Sequence, residues 1–261
     1  MRKGNLLIMA LIAVLLGVIL ISVMPAPDAP EPATTTQASE QSLAPAAEVE
    51  RYPIAAAPSS QATQPINVED SDSAYGDALL QLVGAEALGN FYSDRMIRRF
   101  VATIDNLPRQ EAPARMMPVK PVGGPLLVER NAAQMTIDPA NAQRYARYLE
   151  IMAAVDVKRL VDMYVGLYPV FQQAYRELGY PRGHFNDRLV DTIDDLLATP
   201  DVAPPLAVLQ PKVLYKFADP ALEKRSAGQK IMLRMGTDNM AQVKRLLTAI
   251  RSELLSRSPG Q

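Results

Sequence analysis

The sequence predicts a mainly α-helical protein, in which a single N-terminal transmembrane helix precedes a compact multi-helix soluble domain with a small β-hairpin element. Three observations lead to this fold class. Residues 6–24 are almost entirely apolar, residues 25–70 are rich in proline and in small or polar residues, and apolar residues recur at helical spacing over much of 71–256. The chain therefore divides into an anchor (1–24), a disordered linker, a helical domain and a flexible tail (257–261).

The N-terminal apolar segment has the length of a helix that crosses a lipid bilayer. Residues 6–24 are interrupted only by Gly17 and Ser22, and about 20 residues are needed to span a hydrocarbon core of roughly 30 Å. A cleavable signal peptide usually has a shorter apolar region and ends in small residues, whereas Met24 is followed here by Pro25. We therefore expect an uncleaved anchor.

The charges on either side of this segment predict its orientation. Arg2 and Lys3 precede it, whereas the first charged residues that follow it are acidic. Positive residues favour the cytoplasmic side of a membrane. We therefore expect residues 5–24 to contact the lipid bilayer of a bacterial inner membrane in a single pass, with a cytoplasmic N-terminus and a periplasmic C-terminal domain.

The composition of residues 25–70 predicts a disordered linker. This segment contains seven acidic residues and one arginine, many prolines and alanines, and few large apolar residues. Such a segment buries too little apolar surface to offset the entropy lost on ordering. In a polyproline-like conformation it would span on the order of 140 Å, which would allow the domain to work at a distance from the bilayer.

The first well-defined helix of the domain is predicted over residues 94–106. Its apolar residues follow the i, i+1, i+4, i+5, i+8 spacing of an amphipathic helix. Ser93 is a candidate N-cap. Leu107 and Pro108 are predicted to end the helix, because proline cannot continue it.

Capping and breaking residues predict the central helices. Asp138, which is followed by a proline, is typical of a helix start. From there helical patterning extends to Leu178, with a break or kink expected at Pro169 and an end at Gly179. A further helix is predicted over residues 187–198.

The C-terminal helix has a continuous apolar stripe. Gly236 is predicted to end the preceding helix, and Thr237 to cap the last one. The stripe consists of Met240, Val243, Leu246, Leu247, Ile250 and Leu254.

The segment 109–137 differs from the rest of the domain because its four prolines exclude a regular helix. Residues 126–128 and 135–137 are predicted to form two short strands of a hairpin, with 129–134 as the loop. The pattern of 208–217 fits a strand and a helix equally well, and both remain open.

The composition excludes several classes of function. The chain has no cysteine and a single histidine, His184, so disulfides, thiolate metal sites, cysteine nucleophiles and two-histidine metal sites are excluded. We expect neither a metal nor another cofactor. The net charge beyond residue 70 is about +3, far below that of a nucleic-acid-binding domain, and we therefore expect no nucleic-acid partner.

The most suggestive polar cluster consists of His184 with Asp187, Asp191, Asp194 and Asp195. On a helix the four acids fall at i, i+4, i+7 and i+8, and hence on one face. Carboxylates beside an imidazole could bind a divalent cation or perform acid–base chemistry. The ordinary alternative is an amphipathic helix with solvated acids.

Four residues are candidates for catalysis: Glu86, Asp105, Asp187 and His184. Glycosidic bond cleavage needs only one or two placed acids and therefore leaves no sequence motif. The alternative for Asp105 is a place at a helix end, and the alternative for His184 is a surface or capping role in a loop.

Two sets of residues are candidates for ligand binding. The basic trio Arg95, Arg98 and Arg99 could bind an anionic polymer, although such residues usually serve solubility. Tyr164 and Tyr168 belong to a series of tyrosines at helical intervals, which could line a groove or pack in the core. A second, looser basic group consists of Lys212, Lys216, Lys224 and Arg225.

Four segments resemble the signatures of an uncharacterised bacterial family, DUF3014. They are FVATIDNLPR (100–109), YRELGYP (175–181), FNDRLV (185–190) and QPKVLY (210–215). The resemblance covers about residues 72–255. It implies the layout of a membrane-anchored domain on a linker, but it implies no activity and no catalytic residue.

These observations favour a non-enzymatic envelope protein that binds a protein partner or a cell-wall polymer on the exported side of the inner membrane. The chain is poor in nucleophiles and metal ligands, and the linker would set its working distance. The alternative is a carboxylate-dependent hydrolase or lyase that acts on the cell wall. A carboxylate of strongly raised pKa in a deep cleft would favour the enzyme, whereas an apolar patch with a polar rim would favour the binding protein.

Overall fold

The computed structural model describes residues 49–54, 68, 71–132 and 134–258. The predicted anchor and residues 259–261 of the predicted tail lie outside these ranges, as does most of the predicted linker. Among the helices of the described ranges, none combines the length and the apolar character needed to cross a membrane. The anchor therefore remains a prediction from sequence.

The described domain is mainly helical, as the sequence predicts, and contains one small antiparallel sheet. The helices are α1 (Ser71–Leu88), α2 (Met96–Asn106), α3 (Ala146–Ala153), α4 (Val157–Glu177), α5 (Phe185–Leu197), α6 (Pro220–Glu223), α7 (Ala227–Arg234) and α8 (Thr237–Ser256). The strands are β1 (Val128–Arg130), β2 (Met135–Ile137), β3 (Ala207–Leu209) and β4 (Lys216–Phe217). Short 3₁₀ turns occupy Ala114–Met116 and Pro139–Tyr145.

The start of α2 is fixed by a residue from α1. The Asp72 carboxylate accepts hydrogen bonds from the backbone N–H groups of Arg95 and Met96, at 2.5 and 2.7 Å. Arg95 has a positive φ of 49° and supplies no side-chain cap of its own. The predicted Ser93 cap is therefore wrong, because a distant carboxylate satisfies the free N–H groups of the first turn. The predicted end before Leu107 is confirmed.

The core forms where α2 and α8 pack against α4 and α5. At its centre are Phe100, Phe171 and Phe185, each with no exposed surface. Their ring centroids lie 5.3 to 6.0 Å apart, within the range of favourable aromatic pairs. The α8 stripe predicted from sequence faces this core, with Leu246 only partly buried.

The central helices begin and end largely where capping residues indicate. Asp138 accepts a hydrogen bond from the N–H of Ala140, as predicted for a helix start, although the first turns are 3₁₀. The helical region then divides between α3 and α4, where the Asp156 side chain caps α4. Helix α4 continues through Pro169, so the helix does not break there; the break in the helical region lies before Asp156. It ends before Gly179, as predicted, where φ is 120°.

The sheet has the order β1-β2-β3-β4, and all neighbouring strands are antiparallel. The predicted hairpin is confirmed, but β1 starts at Val128 rather than ending there. The reason is that the backbone N–H and C=O of Leu127 are both bonded to the Asn141 side chain, at 3.0 and 2.7 Å. The ambiguous segment 208–217 belongs to a second hairpin, β3–β4.

A second, smaller hydrophobic cluster lies between the sheet and helices α6 and α7. It contains Val208, Phe217, Leu222 and Leu233. Arg234, at the end of α7, lies over the Phe217 ring at 5.0 Å. This buried cation therefore connects helix α7 with the sheet.

Candidate functional site

The four aspartates of α5 do not converge on a single site. Asp194 pairs with Arg251 of α8, with 2.5 Å between Oδ1 and Nε. Asp195 accepts hydrogen bonds from Ser226 (2.6 Å) and Gln229 (3.2 Å) at the start of α7, and burial raises its pKa. Within the described part of the chain, no group of three or more histidine or acidic side chains is placed to hold a metal ion.

Asp187 and Asp191 contact a short segment that precedes the domain, residues 49–54, which we call the strap. The Asp187 carboxylate accepts the backbone N–H groups of Arg51 and Tyr52, at 3.0 and 2.8 Å. The Arg51 guanidinium donates to Asp191 at 2.6 Å. This part of the predicted linker therefore lies directly on the acidic face of α5.

Further strap contacts involve both α4 and α5. The Asn186 amide donates to the Tyr52 carbonyl at 2.7 Å. The Glu50 carboxylate lies 3.4 Å from the Tyr168 hydroxyl and 3.6 Å from Nδ1 of His184. These side chains form a polar groove beneath the strap, which we call the strap groove: Tyr168, His184, Asn186, Asp187 and Asp191.

The start of α5 is held by Gln172, a residue that was not among the candidates from sequence. Its amide oxygen accepts the N–H of Phe185 at 2.8 Å, and its amide nitrogen donates to the carbonyl of Gly183 at 2.7 Å. His184 occupies the N-cap position but makes no side-chain capping bond there. Gln172 lies on another helix, so no local sequence signal identifies it.

Asp105 is a buried carboxylate at the end of α2 whose side chain is 7% exposed. It pairs with Arg109 at 2.7 Å and with Arg188 at 3.1 Å. The Tyr180 hydroxyl also donates to it at 3.1 Å. The carboxylate raises the pKa of Arg109. This geometry ties the end of α2 to α5 and to the turn after α4.

Glu86 lies apart from the other candidate catalytic residues. It belongs to the part of α1 that follows the break at Gly84, where φ is 78°. Its side chain is 85% exposed and pairs with Arg147 at 2.6 Å. The structure therefore places it on the open surface.

The basic trio on α2 is largely engaged within the protein. Arg98 pairs with Glu177 at 3.0 Å. Arg99, whose side chain is 14% exposed, pairs with Asp94 at 2.9 Å, and this hydrogen bond lowers the pKa of Asp94. Arg95 is the most exposed of the three. The three cations therefore do not form one free basic surface.

The two candidate tyrosines on α4 differ in environment. Tyr164 is fully buried, and its hydroxyl has no hydrogen-bond partner among the described residues. Burial raises its pKa well above the usual value. Tyr168 is partly buried and donates to Gln172 at 3.1 Å as well as facing the strap. Only Tyr168 therefore reaches a groove.

A cleft of about 500 Å³ lies between the sheet, the loop that follows α5 and the start of α8. Its lining includes Ile137, Leu206, Pro205 and Met240. None of the four candidate catalytic residues lines it. His184 and Asp187 instead line a cavity of about 420 Å³ beside the strap.

The loop between β3 and β4 exposes apolar side chains. We call residues 209–216 the hairpin tip. Within it the exposed fractions are 53% for Leu209, 63% for Val213 and 39% for Leu214. From sequence, only Lys212 and Lys216 of this region were candidates for binding, because apolar residues in an ambiguous segment do not reveal which of them the fold buries.

The hairpin tip is also basic. The Arg130 guanidinium, at the end of β1, donates to the Tyr215 hydroxyl at 2.7 Å, and this contact joins the two hairpins. Residues 130–135 and 209–216 together contain Arg130, Lys212 and Lys216 but no acidic residue. Leu209 and Lys216 are directly paired in the ladder, so apolar and positive side chains lie side by side.

A model of a family described as proteins of unknown function, DUF3014, matches residues 96–251. The matched region extends from α2 into α8 and includes both the strap groove and the hairpin tip. No curated protein and no solved structure matches the chain.

Proposed function

The chain belongs to the DUF3014 family of proteins of unknown function, and we propose that it is a non-enzymatic envelope protein that binds a protein partner through its hairpin tip. In this proposal residues 5–24 anchor the chain in a bacterial inner membrane. The linker then carries the helical domain into the periplasm, where the tip is free to meet its partner.

The proposal rests on the exposure of three apolar side chains in the hairpin tip. Neither hydrophobic cluster includes Leu209, Val213 or Leu214, so these side chains do not contribute to the core. Exposed apolar residues that adjoin one another and have a polar rim are typical of interaction sites. An apolar centre also favours a protein partner over a polysaccharide, whose surface is largely polar.

The positive charge of the hairpin tip indicates the charge of the partner surface. Arg130, Lys212 and Lys216 belong to the same two loops as the apolar residues, and residues 130–135 and 209–216 contain no acidic residue. Complementary charges steer association and exclude wrong partners. We therefore propose a partner surface with an apolar recess and acidic residues around it.

The placement of the candidate catalytic residues supports binding over carboxylate-dependent cleavage of the cell wall. Asp105 is paired with two arginines, Asp187 is bonded to two strap N–H groups, and Glu86 lies on the open surface. A glycosidase needs two carboxyl groups on either side of one bond. These three carboxylates occur in separate environments with separate partners.

Site-specific photocrosslinking of the full chain in cells would test this proposal. A photoreactive residue replaces Val213 in one chain, and exposed Ser252 on α8 in a matched control. We expect a protease-sensitive adduct at position 213 in at least about tenfold excess over position 252. The double charge reversal Lys212→Glu and Lys216→Glu should reduce that adduct about tenfold, because it repels an acidic partner.

Two outcomes would overturn the proposal. Equal adduct yields at both positions would show that the tip has no specific partner. A position-213 adduct that resists protease but disappears after digestion of the cell wall would identify a wall polymer instead of a protein.

A further inference from the structure

We propose that the strap groove is a peptide-recognition site, which the chain fills with its own residues 49–54 and which accepts the same sequence from a separate molecule. This inference does not depend on the hairpin tip. It concerns a different face of the domain, formed by α4 and the start of α5.

The first argument is that the strap forms hydrogen bonds with the polar groups of the groove. The Asp187 side chain is 12% exposed and Asn186 is fully buried. The Asp187 carboxylate accepts hydrogen bonds from two backbone N–H groups of the strap. With the strap in place the Asp187 carboxylate is shielded from water, and the two strap N–H groups supply the hydrogen bonds that water would otherwise provide. The groove is therefore built to receive consecutive backbone N–H groups.

The second argument is that the groove contacts side chains of the strap as well as its backbone, so that binding depends on the sequence. Arg51 reaches Asp191 one turn along α5, at 2.6 Å. One residue earlier, Glu50 faces the Tyr168 hydroxyl and His184. An acidic residue followed directly by arginine thus meets complementary groups, and a reversed order would place like charges together.

The domain also contacts residues that follow the arginine. The Tyr52 carbonyl accepts the Asn186 amide at 2.7 Å, and the Arg51 guanidinium lies 5.5 Å from the Tyr52 ring. Ile54 then packs against the main core. The recognised ligand is therefore a segment in which an acidic residue is followed directly by arginine, with an apolar residue three positions after the arginine that packs on the core.

The third argument is that the strap is placed to exchange. It is six residues long, and the Arg51 side chain is 53% exposed. Thirteen residues connect Ile54 to Val68 in the sequence, and a short tether supplies an effective concentration on the order of millimolar. A separate segment displaces the strap when the ratio of its concentration to its dissociation constant exceeds the ratio of the effective concentration to the dissociation constant of the strap.

Peptide binding to the full chain in detergent would test the proposal. The probe is a fluorescent peptide with the sequence of residues 49–54, and the strap is disabled by Arg51→Asp, which repels Asp191. We expect the probe to bind the Arg51→Asp chain at least about tenfold more tightly than the unaltered chain, whose own strap competes. Adding Asp187→Asn to the Arg51→Asp chain should weaken binding about tenfold or more.

A matched control probe carries glutamate in place of the arginine, and it should bind at least about tenfold more weakly. A second measurement uses the unaltered chain, so that it does not depend on the folding of a variant. Hydrogen exchange of the Arg51 and Tyr52 amides should accelerate when excess unlabelled peptide displaces the strap.

The proposal is overturned if the folded Arg51→Asp chain does not bind the probe, or if both probes bind it equally. It is also overturned if the two amides exchange at the same rate with and without peptide. In that case the strap is a permanent part of the fold.

Discussion

Asp105 illustrates how a single carboxylate can organise several elements at once. Its side chain meets Arg109 just past the end of α2, Arg188 on α5 and the Tyr180 hydroxyl after α4. Arg188 also donates to the Asp105 backbone carbonyl. A carboxylate with these partners is best explained as a structural junction between three helices.

Replacing Asp105 with asparagine should lower the free energy of unfolding by about 3 kcal/mol, because Arg188 is left without its counter-charge in a mostly buried position. Urea denaturation of the variant would measure the loss. The matched control is Asp194→Asn, which removes a more exposed ion pair with Arg251 and should cost about 1 kcal/mol or less. Equal losses in the two variants would contradict a buried structural role for Asp105.

At the scale of elements, the close approach of α7 to its neighbours depends on Gly228. Its N–H donates to the Leu107 carbonyl at 2.9 Å. A Cβ at this position would lie 2.5 Å from Cδ2 of Leu196 and 3.3 Å from that same carbonyl. The missing side chain therefore allows α7 to pack directly against α5 and the end of α2.

Gly228→Ala should destabilise the protein by about 1–2 kcal/mol, because overpacking outweighs the better helix propensity of alanine. Gly166, on the exposed side of α4, has open space around it and is the matched control. Gly166→Ala should stabilise the protein by up to about 1 kcal/mol. Thermal or urea unfolding of both variants would compare them, and the same sign for both would contradict the packing argument.

At the scale of the whole molecule, Arg234 joins the helical core to the sheet. Its side chain lies over Phe217 at 5.0 Å and donates to the Tyr215 carbonyl at 3.2 Å. No carboxylate of the described residues lies within ion-pair distance of it, and burial lowers its pKa. The residue therefore contributes packing and one hydrogen bond at the cost of burying a cation.

Arg234→Met should leave the free energy of unfolding within about 1 kcal/mol of the original value, because it keeps most of the packed volume and removes the buried charge. Arg234→Ala should cost about 2–3 kcal/mol, because it leaves a cavity between α7 and the sheet. Chemical denaturation would measure both. If methionine proved as destabilising as alanine, the charge rather than the volume would join the two clusters.

The elements that could be predicted from the residues alone are those whose signals are local. The apolar spacing of 94–106, the stripe of the last helix, the end at Gly179 and the strand at 135–137 all depend on residues within a few turns of one another. Periodicity and breaking residues act over that distance, so these elements could be predicted. The mainly helical class and the family resemblance follow from the same residues.

The partner of each polar side chain, in contrast, depends on how distant parts of the chain pack together. Asp72 caps α2 from another helix, Gln172 holds the start of α5, and Asp187 binds the N–H of Arg51 from 136 positions away. Likewise, the sequence shows that residues 208–217 are partly apolar, but only packing decides that Val208 is buried and Val213 exposed. The physical reason is that burial and pairing depend on which surfaces meet, and distant segments meet only when the chain has folded.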